Sequence, residues 1–252
     1  APAAEQAVER QVNAILHHPR FQSLEATWRG ARYLCEQAGV ARQEAEDTGT
    51  DLGLKLKLLH LTKKELAQDL SSAIEFDQST IFKFVYENEY GTVGGEPFGV
   101  MIGDYEFTNQ RADIETLGLI AQVSAAAFAP LVAAVAPQFF QLDDFDRLER
   151  SVNLERDLQK VDYIKWRALR ERVDTRFLAL TLPRVLMREP YELDSARSDG
   201  FRFREDVAGR DSGKYLWGNA AYAFAGTVIR AYATSGWFAD IRGFERGIDG
   251  GG

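Results

Sequence analysis

Asp104 and Glu106 lie two residues apart, just beyond the apolar run Phe98-Gly99-Val100-Met101-Ile102. On an extended strand that spacing puts both carboxylates on one face, where they could share a divalent cation or divide acid and base roles. The other reading is an ion-paired duo at a sheet edge, and the rest of the chain favours it. Three histidines do not complete a metal set. His17 and His18 are adjacent, about 100° apart on a helix, and His60 has no Glu or His at ligand spacing. Gly213-Lys214 is the only Gly-Lys pair, but Ala208 and Tyr215 stand where a phosphate loop needs Gly and Ser or Thr. Gly91-Thr92-Val93-Gly94-Gly95 lacks dinucleotide-site spacing and precedes a strand, so it reads as a turn with a glycine at positive φ. No serine sits in a Gly-x-Ser-x-Gly elbow. Asp143, Asp144 and Asp146 read as a solvated helix cap. Cys35, the single cysteine, follows Tyr33 and Leu34 and reads as a buried core thiol; one cysteine permits no intrachain disulfide, which fits a reducing compartment. No catalytic, cofactor-binding or metal-binding residue is assigned on these grounds, and no cofactor is implied.

The elements that would position these residues follow from periodicity. Val8, Val12, Ile15 and Leu16 mark one helix face, ended by His17-His18-Pro19. Leu24, Trp28, Ala31 and Cys35 mark a second helical stripe, expected to stop near Gly39, with 41–53 an exposed polar loop. Leu54-Lys55-Leu56-Lys57-Leu58 alternates as a strand does. Thr62-Lys63-Lys64-Glu65 has capping-box spacing ahead of Leu66, Leu70 and Ala73. Further helices are expected at Ile81, Phe82, Val85 and Tyr86, at Ile114, Leu117 and Ala121, across 154–172, and across 216–234 ending at Gly236. Further strands are expected at 98–102, 131–135, 177–182 (closed by Pro183) and 237–241, with a long polar loop over 191–211. Strands separated by helices imply an α/β fold, a mostly parallel or mixed sheet flanked by helices, with an N-terminal helical segment. The expected organisation is a helical segment 1–39, an α/β domain 54–243 and a flexible Gly-rich tail 244–252.

With 252 residues and 45% apolar content the chain can bury a sizeable core. Its net charge of −8 argues against a general nucleic-acid partner. No apolar run approaches the roughly 20 residues of a spanning helix, so membrane embedding is not expected, and 1–5 show no basic-then-apolar leader pattern. Trp28, Trp166, Trp217 and Trp237 are read mainly as core, with one or two as interface anchors.

Several segments, in order along the chain, resemble the large sheath subunit of the type VI secretion system, the TssC/VipB family. They are Ile15-Leu16-His17-His18-Pro19, Leu24-Glu25-Ala26-Thr27-Trp28-Arg29-Gly30, Glu75-Phe76-Asp77-Gln78-Ser79, Gly94-Gly95-Glu96-Pro97-Phe98-Gly99, Ile102-Gly103-Asp104-Tyr105-Glu106-Phe107, Leu180-Thr181-Leu182-Pro183-Arg184, Lys214-Tyr215-Leu216-Trp217-Gly218-Asn219-Ala220-Ala221-Tyr222 and Ile241-Arg242-Gly243. The resemblance implies a structural, cytoplasmic sheath protomer without catalytic role. It would pair with the small subunit TssB/VipA, stack with other copies around a tube of Hcp, and be recycled by the ATPase ClpV. It also implies that the family continues past Ile241-Arg242-Gly243 into a C-terminal sheath domain, which this sequence does not include. The alternative kept beside it is a small metal-dependent α/β enzyme using Asp104 and Glu106.

Overall fold

The computed structural model describes residues 2–47, 49, 51–149, 153–193, 203–209, 211–239 and 241. Its centre is a parallel three-stranded sheet in the order β1 (Met101–Phe107), β2 (Leu131–Val135), β3 (Leu178–Thr181). All five residues of β2 are buried, which is why it reads as a continuous apolar run. Its odd residues Leu131, Ala133 and Val135 pack on α6 (Arg111–Ala126), through Ile120, Val123, Ile114 and Leu117. Val132 and Ala134 alternate onto the opposite face, where α9 (Ala220–Ser235) lies.

Two helices precede the sheet: α1 (Pro2–Leu16) and α2 (Pro19–Asp47). Pro19 ends the first and opens the second, its fixed φ suiting a first helical position. α3 (Lys63–Ser72) begins with the expected capping box: Thr62 Oγ1 accepts from the Glu65 N–H (3.2 Å), and the Glu65 carboxylate accepts from the Thr62 N–H (2.8 Å). α4 (Thr80–Phe82) runs through a π-helical turn, Lys83–Glu87, into α5 (Asn88–Tyr90), with Ile81, Phe82 and Val85 buried. The glycine segment that follows is a turn, and Gly94 has φ +82°. A two-stranded antiparallel ribbon, β4 (Val185–Leu186) with β5 (Trp217–Gly218), leads into α9.

The α/β class and the N-terminal helices stand as expected; several boundaries do not. α2 passes Gly39 and ends at Asp47. Gly39 costs about 1 kcal/mol of helix propensity, which burial of Ala38, Ala41 and Ala45 offsets. Its buried face is Ala26, Gly30, Leu34, Ala38, Ala41 and Ala45. Leu24 and Trp28 are therefore exposed, and so is Cys35, which is not a core thiol. The Leu54–Leu58 segment is not a strand: no described strand lies alongside it to complete a ladder. β1 starts at Met101, whose N–H makes a bond to Pro130 O (2.8 Å), and runs through the acids to Phe107.

The expected helix over 154–172 is broken into α7 (Leu154–Asp157) and α8 (Ile164–Arg170). Arg167 Nη1 donates to Leu158 O (2.8 Å) and Lys160 O (2.7 Å), taking carbonyls a continuous helix would use itself. Phe177 belongs to a 3-10 turn, and β3 covers only Leu178–Thr181. α9 starts four residues later than Leu216, because Asn219 caps it by accepting from the Ala221 N–H (2.8 Å). Residues 237–239 form no strand, and the tail 244–252 lies outside the described residues.

Candidate functional site

The two carboxylates that could have made a metal or acid–base pair are each held elsewhere. Glu106 accepts a bidentate pair from Arg184, Nε and Nη2 each at 2.6 Å. These hydrogen bonds push the Arg184 pKa further up, against the effect of its partial burial. Asp104 accepts from Thr27 Oγ1 of α2 at 2.5 Å and lies beside Tyr222 of α9. Burial first, and the Asp104 charge second, push the Tyr222 hydroxyl well above its ordinary value. Between the acids, Tyr105 turns the other way and donates to Leu61 O (2.8 Å); burial, then Asp104 and Glu65, push it up to about 12. The strand register is irregular between Ile102 and Glu106, and Asn219 Nδ2 donates to the freed carbonyls of Gly103 (3.3 Å) and Tyr105 (3.2 Å). The acidic segment thus ties β1 to α2, α9 and Arg184. Among the described residues no group of three or more His, Cys, Asp or Glu could hold a metal.

A second polar centre is absent from the sequence reading. Arg188, with a side chain 7% exposed, donates to Glu25 Oε1 of α2 (2.9 Å) and to Glu205 Oε2 (2.5 Å). Glu205, 1% exposed, also accepts from the Tyr191 N–H (3.0 Å) and hydrogen-bonds His17 Nε2 (3.2 Å). Burial pushes the Glu205 carboxyl up, but Arg188, the Tyr191 N–H and His17 together hold it below the usual glutamate range. The Glu205 N–H in turn donates to Tyr191 O (2.8 Å), and Asp206 N–H to Asn13 Oδ1 (2.8 Å). This cluster pins Tyr191, Glu205 and Asp206 against α1 and α2. No local pattern announces it, since His17 and Glu205 are 188 positions apart; the one visible trace is a histidine at the α1–α2 break.

The third feature is an apolar surface on the N-terminal helices. Val8 (47%), Ile15 (46%), Leu24 (57%) and Trp28 (65%) are all exposed. Phe21, Leu24, Trp28 and Cys35 fall at spacings of three, four and seven along α2, a straight stripe on a helix. Trp217 and Trp237 are exposed too, while Trp166 packs edge-on to Phe139 at 5.0 Å. No helix among the described residues is long and apolar enough to cross a membrane.

A layered α/β unit whose acids tie elements together, with large apolar side chains left outside, has the character of an assembly component. Residues 3–252 match the family described as EvpB/VC_A0108, tail sheath N-terminal domain (VipB), and the chain belongs to it. It is 41% identical over 239 residues to the type VI secretion system sheath protein TssC1 of Pseudomonas aeruginosa, covering 94% of this chain and 46% of that relative. The chain therefore spans about half the length of the curated relative it matches.

Proposed function

We propose that this chain is the N-terminal α/β part of a type VI sheath large subunit that pairs with the small subunit TssB/VipA. The pairs stack with further copies into a cylinder around the Hcp tube in the cytoplasm, and ClpV recycles the contracted form. The role is mechanical: subunits reorient as rigid bodies across interfaces with two stable arrangements. The division into an N-terminal helical segment, an α/β sheath domain and a Gly-rich tail belongs to this reading, with the helical segment extended to Asp47.

The observation that carries the proposal is the exposed stripe of α2 beside α1. Large apolar residues grouped on one helix face, Trp among them, fit a subunit contact better than solvent. A non-catalytic role agrees with Asp104 and Glu106 being engaged by Thr27 and Arg184. The test is co-expression with the small subunit, followed by electron microscopy; the full-length large subunit is expected to form sheath-like cylinders and residues 1–252 by themselves none. Metal-dependent turnover abolished by Asp104→Ala or Glu106→Ala would contradict the structural role.

A further inference from the structure

The end of the sheet where β1, β2 and β3 begin carries aromatic side chains that the fold leaves outside. Phe128 follows the Ala127 cap of α6, with φ +51° and 74% of its surface exposed. Its N–H donates to Ala125 O (3.2 Å) and the Ala129 N–H to Ser124 O (3.1 Å), a helix ending in which the left-handed residue is usually glycine. Tyr90 Oη donates to Ala127 O (3.0 Å), so the turn is also held from outside the helix. A bulky residue is strained in this conformation, and glycine would adopt it freely. The strain brings little burial in return: the ring meets the Phe177 ring at 6.0 Å and stays three-quarters in solvent. On the other face of the sheet α9 ends at the same edge. Phe238, 36% exposed, lies against Gly99 at the approach to β1, where a Cβ would meet it at 3.1 Å, and Trp237 beside it in the chain is 67% exposed.

The course of the chain selects what covers this edge. The last described residue is Ile241, three positions past Phe238, so the chain leaves the described fold at the same edge. Residues 3–252 match an N-terminal domain and cover 46% of the TssC1 relative, so a full-length large subunit has a further part of similar length to place. A segment tethered beside a surface meets it at a high effective concentration, an advantage that a separate subunit lacks. Arg176, over the Phe177 ring at 5.7 Å, has no acidic partner among the described residues, which suits an apolar surface that also carries a carboxylate. We infer that the part of the large subunit following residue 252 packs against this edge of the sheet, with Phe128 and Trp237 as the anchors. The contact lies inside one subunit and rests on the family membership, not on sheath assembly.

The test is hydroxyl-radical footprinting, read side chain by side chain by mass spectrometry. It is applied to residues 1–252, to the full-length large subunit alone, and to that subunit with its small partner. Phe128 and Trp237 should oxidise readily in residues 1–252 and at least about fivefold less in the full-length subunit alone, as burial in an interface core requires. Trp28, on the outer face of α2, should stay reactive in the full-length subunit alone and lose reactivity only with the small subunit, which separates the two surfaces. Phe128→Gly relieves the strained turn. It should leave the melting temperature of residues 1–252 unchanged or raise it by about 2 °C, yet restore Trp237 oxidation severalfold in the full-length subunit. A lowered melting temperature would overturn the inference by showing that the ring serves the fold of residues 1–252 themselves. Protection of Phe128 and Trp237 that appears only with the small subunit would overturn it by giving the surface to another chain. Protection already present in residues 1–252, or absent from every preparation, would overturn it as well.

Discussion

The two faces of α2 invert the usual relation between residue size and burial. The inner face is built from Ala26, Gly30, Leu34, Ala38, Ala41 and Ala45, all buried; the outer face carries Leu24 and Trp28, both more than half exposed. The inner face is small because α9 comes close. A Cβ at Gly30 would clash with the Tyr222 ring at 2.4 Å, and one at Gly226 with Tyr33 at 2.3 Å, so each helix seats its tyrosine on the other's glycine. Close approach selects small residues even in water-soluble cores, and leaves the large ones for whatever else the helix meets. The lesson is that an apolar stripe marks a contact surface without saying whether the contact is internal.

The comparison can be broken at graded points. The largest loss is expected where Arg188 clamps α2 to Glu205: Arg188→Ala leaves the buried Glu205 without its guanidinium, while Glu25 keeps Arg29, at a cost of about 3 kcal/mol, measured by denaturant unfolding. Gly30→Ala comes next. Alanine gains about 1 kcal/mol of helix propensity, but overlap with the Tyr222 ring costs up to about 3 kcal/mol, so a net loss near 2 kcal/mol is expected in the same assay. An unchanged midpoint would show that α2 and α9 are not so closely seated.

A smaller effect is pH-dependent. Glu205 has a folded pKa below its ordinary value of 4.5, so its ionised form adds stability in full above that value. The contribution is lost as pH falls through the lower folded value. Stability measured from neutral pH downward should therefore fall on the acid side, and Glu205→Gln should flatten that limb. The smallest change in stability belongs to the outer face: Leu24→Ala with Trp28→Ala should move it by no more than about 0.5 kcal/mol.

Local signals were well read wherever one element settles its own structure. The apolar run of β2, the Thr62–Glu65 box and the α6 stripe each stand where their periodicity puts them. Readings failed where a distant partner decides. The alternation of Leu54–Leu58 is real, but a strand needs a neighbour that the described residues do not supply. On α2 the large stripe outscores the small one that is buried, because periodicity ranks hydrophobicity and not fit. The ion-pair reading of Asp104 and Glu106 fits Glu106, which meets Arg184, and not Asp104, which accepts from Thr27, 77 positions away. The Arg188–Glu205 cluster is illegible in the sequence because its members, His17, Glu25, Arg188, Tyr191 and Glu205, are spread over the length of the chain.

The most direct test of the central claim, that the outer face of α2 is an assembly surface, is recovery of the co-expressed small sheath subunit with the full-length large subunit carrying Leu24→Ala and Trp28→Ala, compared with the unsubstituted one. The account predicts that the variant melts like the wild type but retains less than about a tenth of the small subunit and forms no cylinders under the electron microscope. Normal recovery and normal cylinders from a fully folded variant would contradict it, and would make the stripe an ordinary solvated face.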